Sequence, residues 1–213
     1  EKRMCEASVS YLYYPNVANR IKDYNPDAKI VIMLRNPVDR AVSHYLMDYR
    51  LGLISNSLEN IFYNDSGLYF QQYFLLGKYF NQVKKYIDIF GSENVHIIWH
   101  SDFKVNTKLE FEKLVEFIGI KSDCEINFNK IHNSFSMHRN NFVRKIYSFN
   151  FLRKFLSFLL PARLVSFIKS ILFVKDNKPE ISEEIRLKIL DFYKPDIENL
   201  EQLLSVNLSK WKK

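Results

Sequence analysis

An α/β fold with a parallel sheet is predicted by three features of the sequence. Two short runs rich in β-branched residues, Ile30–Leu34 and Val95–Trp99, have the length and composition of buried strands. A segment with helical periodicity follows each of them. Hydrophobic residues make up 47% and aromatic residues 15% of the 213 residues, which is typical of a globular protein with a sizeable core. Because strands that alternate with helices usually pair in parallel, we expect a parallel sheet flanked by helices.

The most informative segment is residues 29–45, where the first strand ends and a helix begins. The uncharged run Ile30–Leu34 predicts a strand buried on both faces. Asn36 is a favoured N-cap, and Pro37 is a favoured first helical residue. The helix is therefore predicted to start at the carboxyl end of the strand, the edge where open α/β sheets bind ligands.

This segment offers an anion site. A helix N-terminus attracts negative charge, and the guanidinium of Arg35 beside it can bind a phosphate. Ser43 follows Asn36 by about two helical turns, roughly 10 Å along the axis, where its hydroxyl could contact the same anion. In the alternative, Arg35 is a solvated strand-end arginine and Ser43 a small helix-packing residue. Spacing alone does not separate the two.

The segment Arg35-Asn-Pro-Val-Asp-Arg-Ala-Val-Ser43-His-Tyr45 resembles a known nucleotide-binding sequence. It is similar to the 3′-phosphate-binding segment of sulfotransferases that use 3′-phosphoadenosine 5′-phosphosulfate (PAPS), in particular the heparan-sulfate and bacterial carbohydrate branch. The resemblance implies that Arg35 and Ser43 hold the 3′-phosphate of the nucleotide. It also implies a P-loop-NTPase-like three-layer fold with a parallel sheet between helices.

The resemblance extends along the chain. Residues 5–11, Cys5-Glu-Ala-Ser-Val-Ser-Tyr11, are similar to a segment that precedes the 3′-phosphate segment in family members. Ala7 stands where the heparan-sulfate enzymes carry a lysine, which argues against heparan sulfate as the acceptor. Residues 90–119 also resemble the family, as does the closing Leu-x-x-Trp, where Trp211 is expected to anchor packing.

Several further elements are predicted from periodicity and turn residues. Residues 3–14 are expected to end a strand that leads into a short helix to about Tyr24. Glu6 is expected to pair with a nearby basic residue, and the alternative is a direct role in substrate binding. Helices are also expected over residues 58–63, 68–90, 106–118 and 178–204.

Residues 126–175 contain no Asp or Glu and nine Lys and Arg residues. Arg139 lies where family members carry a basic loop that closes over the nucleotide, so the resemblance implies a phosphate contact there. A basic amphipathic helix within 142–175 could lie on an anionic membrane. In the alternative, these helices pack on the domain and turn their basic side to solvent or to an anionic polymer.

Composition limits the possible partners. The net charge of +7 and the pI near 9.2 suit an anionic partner such as nucleic acid, a membrane surface or a phosphorylated small molecule. The resemblance points to the last of these, with PAPS as co-substrate and no nucleic acid. Two cysteines without metal-ligand spacing predict neither a disulfide scaffold nor a metal site. We expect a cytoplasmic protein, associated with a membrane in one alternative and Golgi-lumenal if the source is eukaryotic.

One part of the family pattern is missing. Family members bind the 5′-phosphosulfate on a Gly-Thr-Thr loop after their first strand, and this tripeptide does not occur in the chain. Their general base also lies upstream of the segment that contains Glu6. We therefore expect residues 1–213 to be the carboxyl-terminal two-thirds of a sulfotransferase domain, with an α/β part at 1–125 and a basic helical part at 126–213. The expected activity is sulfonate transfer from PAPS to a hydroxyl or amine of an acceptor, a carbohydrate in this branch, with the catalytic groups upstream of Glu1 and the fragment alone inactive.

Two other function classes remain open at this point. A nucleotide kinase would need a Walker-type phosphate loop and magnesium-binding carboxylates, which the sequence does not offer. A non-catalytic module that binds a nucleotide, a membrane or a glycan would need neither.

Overall fold

The described part of the chain is mostly helical and contains one pair of short parallel strands. The computed structural model describes residues 4–64, 66–120, 126–128, 137–138, 173–174 and 179–212. In chain order the elements are α1 (Val17–Tyr24), β1 (Ile30–Leu34), α2 (Pro37–Arg50), α3 (Leu58–Tyr63), α4 (Leu68–Tyr73), a 3₁₀ turn (Leu75–Gly77), α5 (Phe80–Phe90), a second 3₁₀ turn (Ser92–Asn94), β2 (Val95–Trp99), α6 (His100–Val105), α7 (Thr107–Ile118), β3 (Met137–His138), β4 (Phe173–Val174), α8 (Glu183–Leu204) and a third 3₁₀ turn (Ser209–Lys212).

The chain divides into two compact units. The first unit comprises residues 1–37, 76–129 and 190–213, and the second comprises residues 38–75 and 130–189. Two of the four boundaries fall inside α2 and inside α8, and a third falls inside the first 3₁₀ turn. The division predicted from composition, between residues 125 and 126, stays a prediction.

The first unit contains the parallel sheet. Strand β1 pairs with β2 from Ile30 opposite Val95 to Leu34 opposite Trp99, which confirms both strands and their parallel pairing. Its buried side chains come from the sheet, from Tyr79 and α5, and from the later part of the chain, and they include Ile32, Leu34, Tyr79, Val83, Tyr86, Phe90, Ile98, Tyr193, Ile197, Leu200, Leu208 and Trp211.

One face of β1 is more open than predicted. Ile32 and Leu34 are buried, whereas Val31 and Met33 are 42% and 49% exposed. The prediction of a strand buried on both faces is therefore wrong for the described part of the chain. Successive side chains of a strand point to opposite faces, and an apolar composition on both faces does not reveal which of them is covered.

Instead of the predicted strand end, residues 4–8 are irregular and residues 9–16 form bends and turns. The backbone N–H groups of Tyr13 and Tyr14 both donate to the carbonyl of Ser10, at 3.1 and 3.3 Å, and this local pairing takes the place of a sheet ladder. The carboxylate of Glu6 accepts a hydrogen bond from the hydroxyl of Tyr11, and no basic residue in the described part of the chain pairs with it. Helix α1 follows as predicted.

The single helix predicted over residues 68–90 is interrupted between α4 and α5. A Cβ on Gly77 would lie 2.5 Å from the hydroxyl oxygen of Tyr193, so the chain there makes a close approach that only glycine permits. The carboxylate of Asp196 accepts hydrogen bonds from the N–H groups of Tyr79 (2.7 Å) and Phe80 (3.2 Å), and it thereby caps the start of α5.

The remaining helix predictions hold, except that α8 begins at Glu183 and the described residues 179–182 before it are not helical. Helix α3 covers the predicted residues 58–63. The side chain of Asn106 caps α7 at the N–H of Leu109, and Gly119 ends α7 in the left-handed conformation at φ 67°. No helix among the described residues is both long and apolar enough to cross a membrane.

The second unit has its own core. Strands β3 and β4 pair antiparallel there, Met137 opposite Val174. The buried side chains come from α2, α3, α4 and the start of α8: Val38, Ala41, Val42, Tyr45, Ile54, Leu58, Ile61, Phe70, Tyr73, Phe74, Ile185 and Ile189.

Candidate functional site

Arg35 lies directly after β1 at the carboxyl end of the sheet. Its neighbour Leu34 is fully buried and so is Pro37, the first residue of α2. Arg35 itself is half-buried, and its guanidinium makes no hydrogen bond or ion pair with another residue in the described ranges. The positive charge is therefore not neutralised by a carboxylate of that part of the chain, and it is available to an anionic ligand.

The turn between Arg35 and α2 is held by the last described part of the chain. The side-chain amide of Asn36 donates to the backbone carbonyl of Trp211 at 3.3 Å. Trp211 is 8% exposed, and its ring contacts those of Trp99 and Tyr79 at centroid distances of 5.5 and 6.2 Å. The prediction that Trp211 anchors packing is confirmed.

Ser43 lies on α2 in the second unit and is exposed. Its side chain makes no hydrogen bond to another residue that the structure describes. The hydroxyl is thus free to donate to or accept from a ligand.

Next to Ser43, three polar side chains follow one another at intervals of four residues along α2 and face α4. Nη2 of Arg40 donates to the carbonyls of Gln72 (2.5 Å) and Tyr73 (2.8 Å), at the C-terminal end of α4. The ring of His44 contacts the ring of Tyr73 edge-on at 5.1 Å. Asp48 accepts a hydrogen bond from the hydroxyl of Tyr73 at 2.8 Å. This spacing puts all three side chains on one face of α2, where they fix the position of α4.

Burial sets the protonation states in this cluster. Desolvation lowers the pKa of His44, and the attraction of Asp48 opposes this effect only in part, while Arg40 adds to it. Desolvation and the hydrogen bond to Asp48 raise the pKa of Tyr73 far above its ordinary value. At neutral pH the cluster therefore holds a neutral imidazole and a protonated tyrosine whose hydroxyl donates its hydrogen bond to Asp48.

The three predicted nucleotide contacts are distributed as follows. Arg35 belongs to the first unit and Ser43 to the second, since the boundary falls between Pro37 and Val38. Arg139 lies outside the described residues. Among the residues that are described, no group of three or more His, Cys, Asp or Glu side chains could hold a metal ion.

The sequence analysis missed the polar cluster on α2. The four-residue spacing of Arg40, His44 and Asp48 was the available signal, because such spacing places side chains on one helix face. Their partner Tyr73 could not be identified in this way, since the pairing of α2 with α4 depends on tertiary packing.

Comparisons with known proteins indicate the family of the chain. The family model described as sulfotransferase domain matches residues 17–202. The chain is similar to the mouse proteins Sulfotransferase 2A6 and Sulfotransferase 2A2, each 26% identical over 100 residues that cover 45% of this chain and 33% of the relative. The crystal structure of a sulfotransferase from Alicyclobacillus acidocaldarius matches with a TM-score of 0.66 at 27% identity, over 97% of this chain and 66% of that one. The matches thus span about a third of the curated relatives' length and just under two thirds of the solved structure.

Proposed function

Because the chain belongs to the sulfotransferase domain family, we propose that the protein transfers a sulfonate group from PAPS to a hydroxyl or amine of an acceptor. The acceptor oxygen or nitrogen attacks sulfur in line, the bond from sulfur to the bridging phosphate oxygen breaks, and adenosine 3′,5′-bisphosphate leaves. The acceptor proton passes to a general base. Catalysis rests on positioning and on stabilisation of the charge that develops on the leaving phosphate.

The observation that carries this proposal is Arg35, which lies between β1 and α2 and has no partner among the described residues. Arg35 combines a positive charge without a described partner, a place at the carboxyl end of β1 and a helix that begins two residues later. Within the proposal, Arg35 and the exposed hydroxyl of Ser43 bind the 3′-phosphate. Arg139 adds a phosphate contact from the basic region.

The finer parts of the proposal rest on the sequence. A carbohydrate is the proposed acceptor, because the 35–45 segment resembles the carbohydrate branch. We also propose the P-loop-like three-layer arrangement of that branch. A contact of residues 142–175 with an anionic membrane and a cytoplasmic location complete the proposal, and both rest on composition alone.

The transfer assay tests the proposed activity. Purified chain is incubated with radiolabelled PAPS and a panel of sugars, glycosaminoglycans and phenols, beside the same chain extended upstream along its gene. We expect transfer to a carbohydrate by the extended protein and none by residues 1–213. The reason is that the chain contains no Gly-Thr-Thr loop, and loss of even one donor to the developing charge costs about a hundred- to a thousandfold in turnover.

Two outcomes would change the proposal. Absence of transfer by the extended protein to every acceptor would contradict the activity. Comparable rates for the short and extended chains would place the catalytic groups within residues 1–213, with Glu6, His44 and Arg139 as the first candidates.

A further inference from the structure

The last eight described residues form an anchored segment, which we call the closing segment (residues 205–212). Helix α8 ends where Ser205 takes a positive φ of 51° and reverses the chain. The carboxylate of Glu201 then accepts a hydrogen bond from the N–H of Leu208 at 2.5 Å and pairs with the ammonium of Lys212. Leu208 is 6% exposed. The closing segment is therefore bound to the end of α8 by a carboxylate that engages it at two points.

Trp211 inserts the closing segment among aromatic rings of the first unit. Its ring meets Trp99 edge-on and Tyr79 at a tilt. Trp99 is the last residue of β2 and pairs with Leu34, the residue before Arg35. Trp211 thus packs at the same sheet edge that carries Arg35.

The backbone of the closing segment also contacts the turn itself. The carbonyl of Trp211 accepts the hydrogen bond from the side-chain amide of Asn36, and the two groups are partly buried. Asn36 lies between Arg35 and the fully buried Pro37. The turn is therefore held on one side by the buried end of β1 and on the other by this hydrogen bond.

From these contacts we infer that the closing segment orients Arg35 for the nucleotide, with Asn36 and Trp211 as positioning residues. This inference rests on the proposed function. A long arginine side chain gives up rotational freedom when it binds a phosphate, and a fixed backbone limits that loss to the side chain. Loss of the hydrogen bond between Asn36 and Trp211 lets the turn move. Phosphate binding must then restrict the backbone as well as the side chain, and this weakens the contact of Arg35 with the 3′-phosphate.

Two substitutions break the tether in different ways. Asn36→Ser keeps a good N-cap residue and the charge of the turn but removes the amide that donates to Trp211. Trp211→Ala removes the ring that holds the closing segment against Trp99 and Tyr79, whereas Trp211→Phe keeps an aromatic ring there. Phe90→Ala is the matched control, because Phe90 is a buried aromatic residue of the same unit at the far end of α5.

Two readouts are applied to the full chain. Amide hydrogen exchange of residues 34–36 reports on the turn without any ligand. Titration with adenosine 3′,5′-bisphosphate and with adenosine 5′-phosphate reports on the 3′-phosphate contact alone, as the ratio of the two dissociation constants.

We expect Asn36→Ser and Trp211→Ala to speed exchange at residues 34–36 and to lower the preference for the bisphosphate about two- to tenfold, the range for one lost hydrogen bond. Trp211→Phe should stay near the wild type, and Phe90→Ala should lower stability without changing either readout. If Trp211→Ala fails to fold, Asn36→Ser decides alone.

Unchanged exchange at residues 34–36 in Asn36→Ser would overturn the inference, and so would an equal change in Phe90→Ala. If the wild type shows no preference for the bisphosphate, the proposed nucleotide contact fails instead. The exchange data still decide in that case whether the closing segment holds the turn.

Discussion

Ser43 gives the first residue-scale test, because its exposed hydroxyl is proposed to contact only one phosphate of the nucleotide. Ser43→Ala should weaken the binding of adenosine 3′,5′-bisphosphate about two- to tenfold, since a neutral hydroxyl contact contributes about 0.5–1.5 kcal/mol. Adenosine 5′-phosphate should bind as before. Isothermal titration of both nucleotides measures the two effects, with Ser92→Ala as a second exposed serine for comparison. Equal losses for the two nucleotides would exclude a contact between Ser43 and the 3′-phosphate.

His44 gives a pH test at the same scale. Burial lowers its pKa in the folded protein below the ordinary value of 6.5. As the pH falls below about 6.5, the unfolded chain takes up a proton that the folded chain does not, so the free energy of unfolding decreases. The slope that one such group adds is at most about 1.4 kcal/mol per pH unit.

Denaturant unfolding at several pH values between 5 and 8 measures this contribution. Asp48 and Arg40 also act on His44, so the comparison uses His44→Asn, which removes the titrating ring and leaves both neighbours in place. The wild type should lose stability more steeply than the variant below about pH 6.5. Parallel profiles for the two proteins would show that His44 does not titrate differently on folding.

At the scale of elements, the interruption between α4 and α5 shows what sequence periodicity cannot detect. The apolar spacing over residues 68–90 fits one helix, yet the break is fixed by α8, through Tyr193 against Gly77 and Asp196 at the start of α5. These partners lie more than a hundred residues further along the chain. A local pattern carries no information about them.

Asp196 should therefore stabilise α5 from a distance in sequence. Asp196→Ala removes the acceptor for the N–H groups of Tyr79 and Phe80, and we expect it to lower the free energy of unfolding by about 1–2 kcal/mol, as loss of an N-cap does. Asp196→Asn keeps one acceptor oxygen and should lower the free energy of unfolding by less than Asp196→Ala does. Asp191→Ala, an exposed aspartate of the same helix, serves as the control. Urea unfolding followed by tryptophan fluorescence gives the values. Similar losses for the alanine variants of Asp191 and Asp196 would argue against the cap.

The elements that the sequence predicts well are those with local determinants. Strands β1 and β2 show as short apolar runs, and α7 has its cap Asn106 and its terminator Gly119 within a few residues of its ends. The strand end predicted before residue 14 failed because a run of suitable composition needs a partner strand to pair with. The site follows the same rule: the segment with Arg35 and Ser43 was identifiable from adjacent residues, whereas the tether to Trp211 joins positions 175 residues apart.

At the scale of the whole molecule, membership in the sulfotransferase domain family and the α/β fold with a parallel sheet are shown, and the reaction is proposed. The family model covers residues 17–202, which includes the whole segment from β1 to the end of α8 apart from its last two residues. The acceptor and the nucleotide contacts depend on single side chains. They have to be measured on this chain.

The central claim is that Arg35 binds the 3′-phosphate of the nucleotide. Its most direct test is the titration of adenosine 3′,5′-bisphosphate and adenosine 5′-phosphate into the wild type, Arg35→Ala and Arg20→Ala, the last an exposed arginine of the same unit. We predict that the wild type and Arg20→Ala prefer the bisphosphate. Arg35→Ala should lose about thirty- to a hundredfold in affinity for it, because a charge-assisted contact contributes roughly 2–3 kcal/mol. Equal dissociation constants of the bisphosphate for Arg35→Ala and the wild type would contradict the claim.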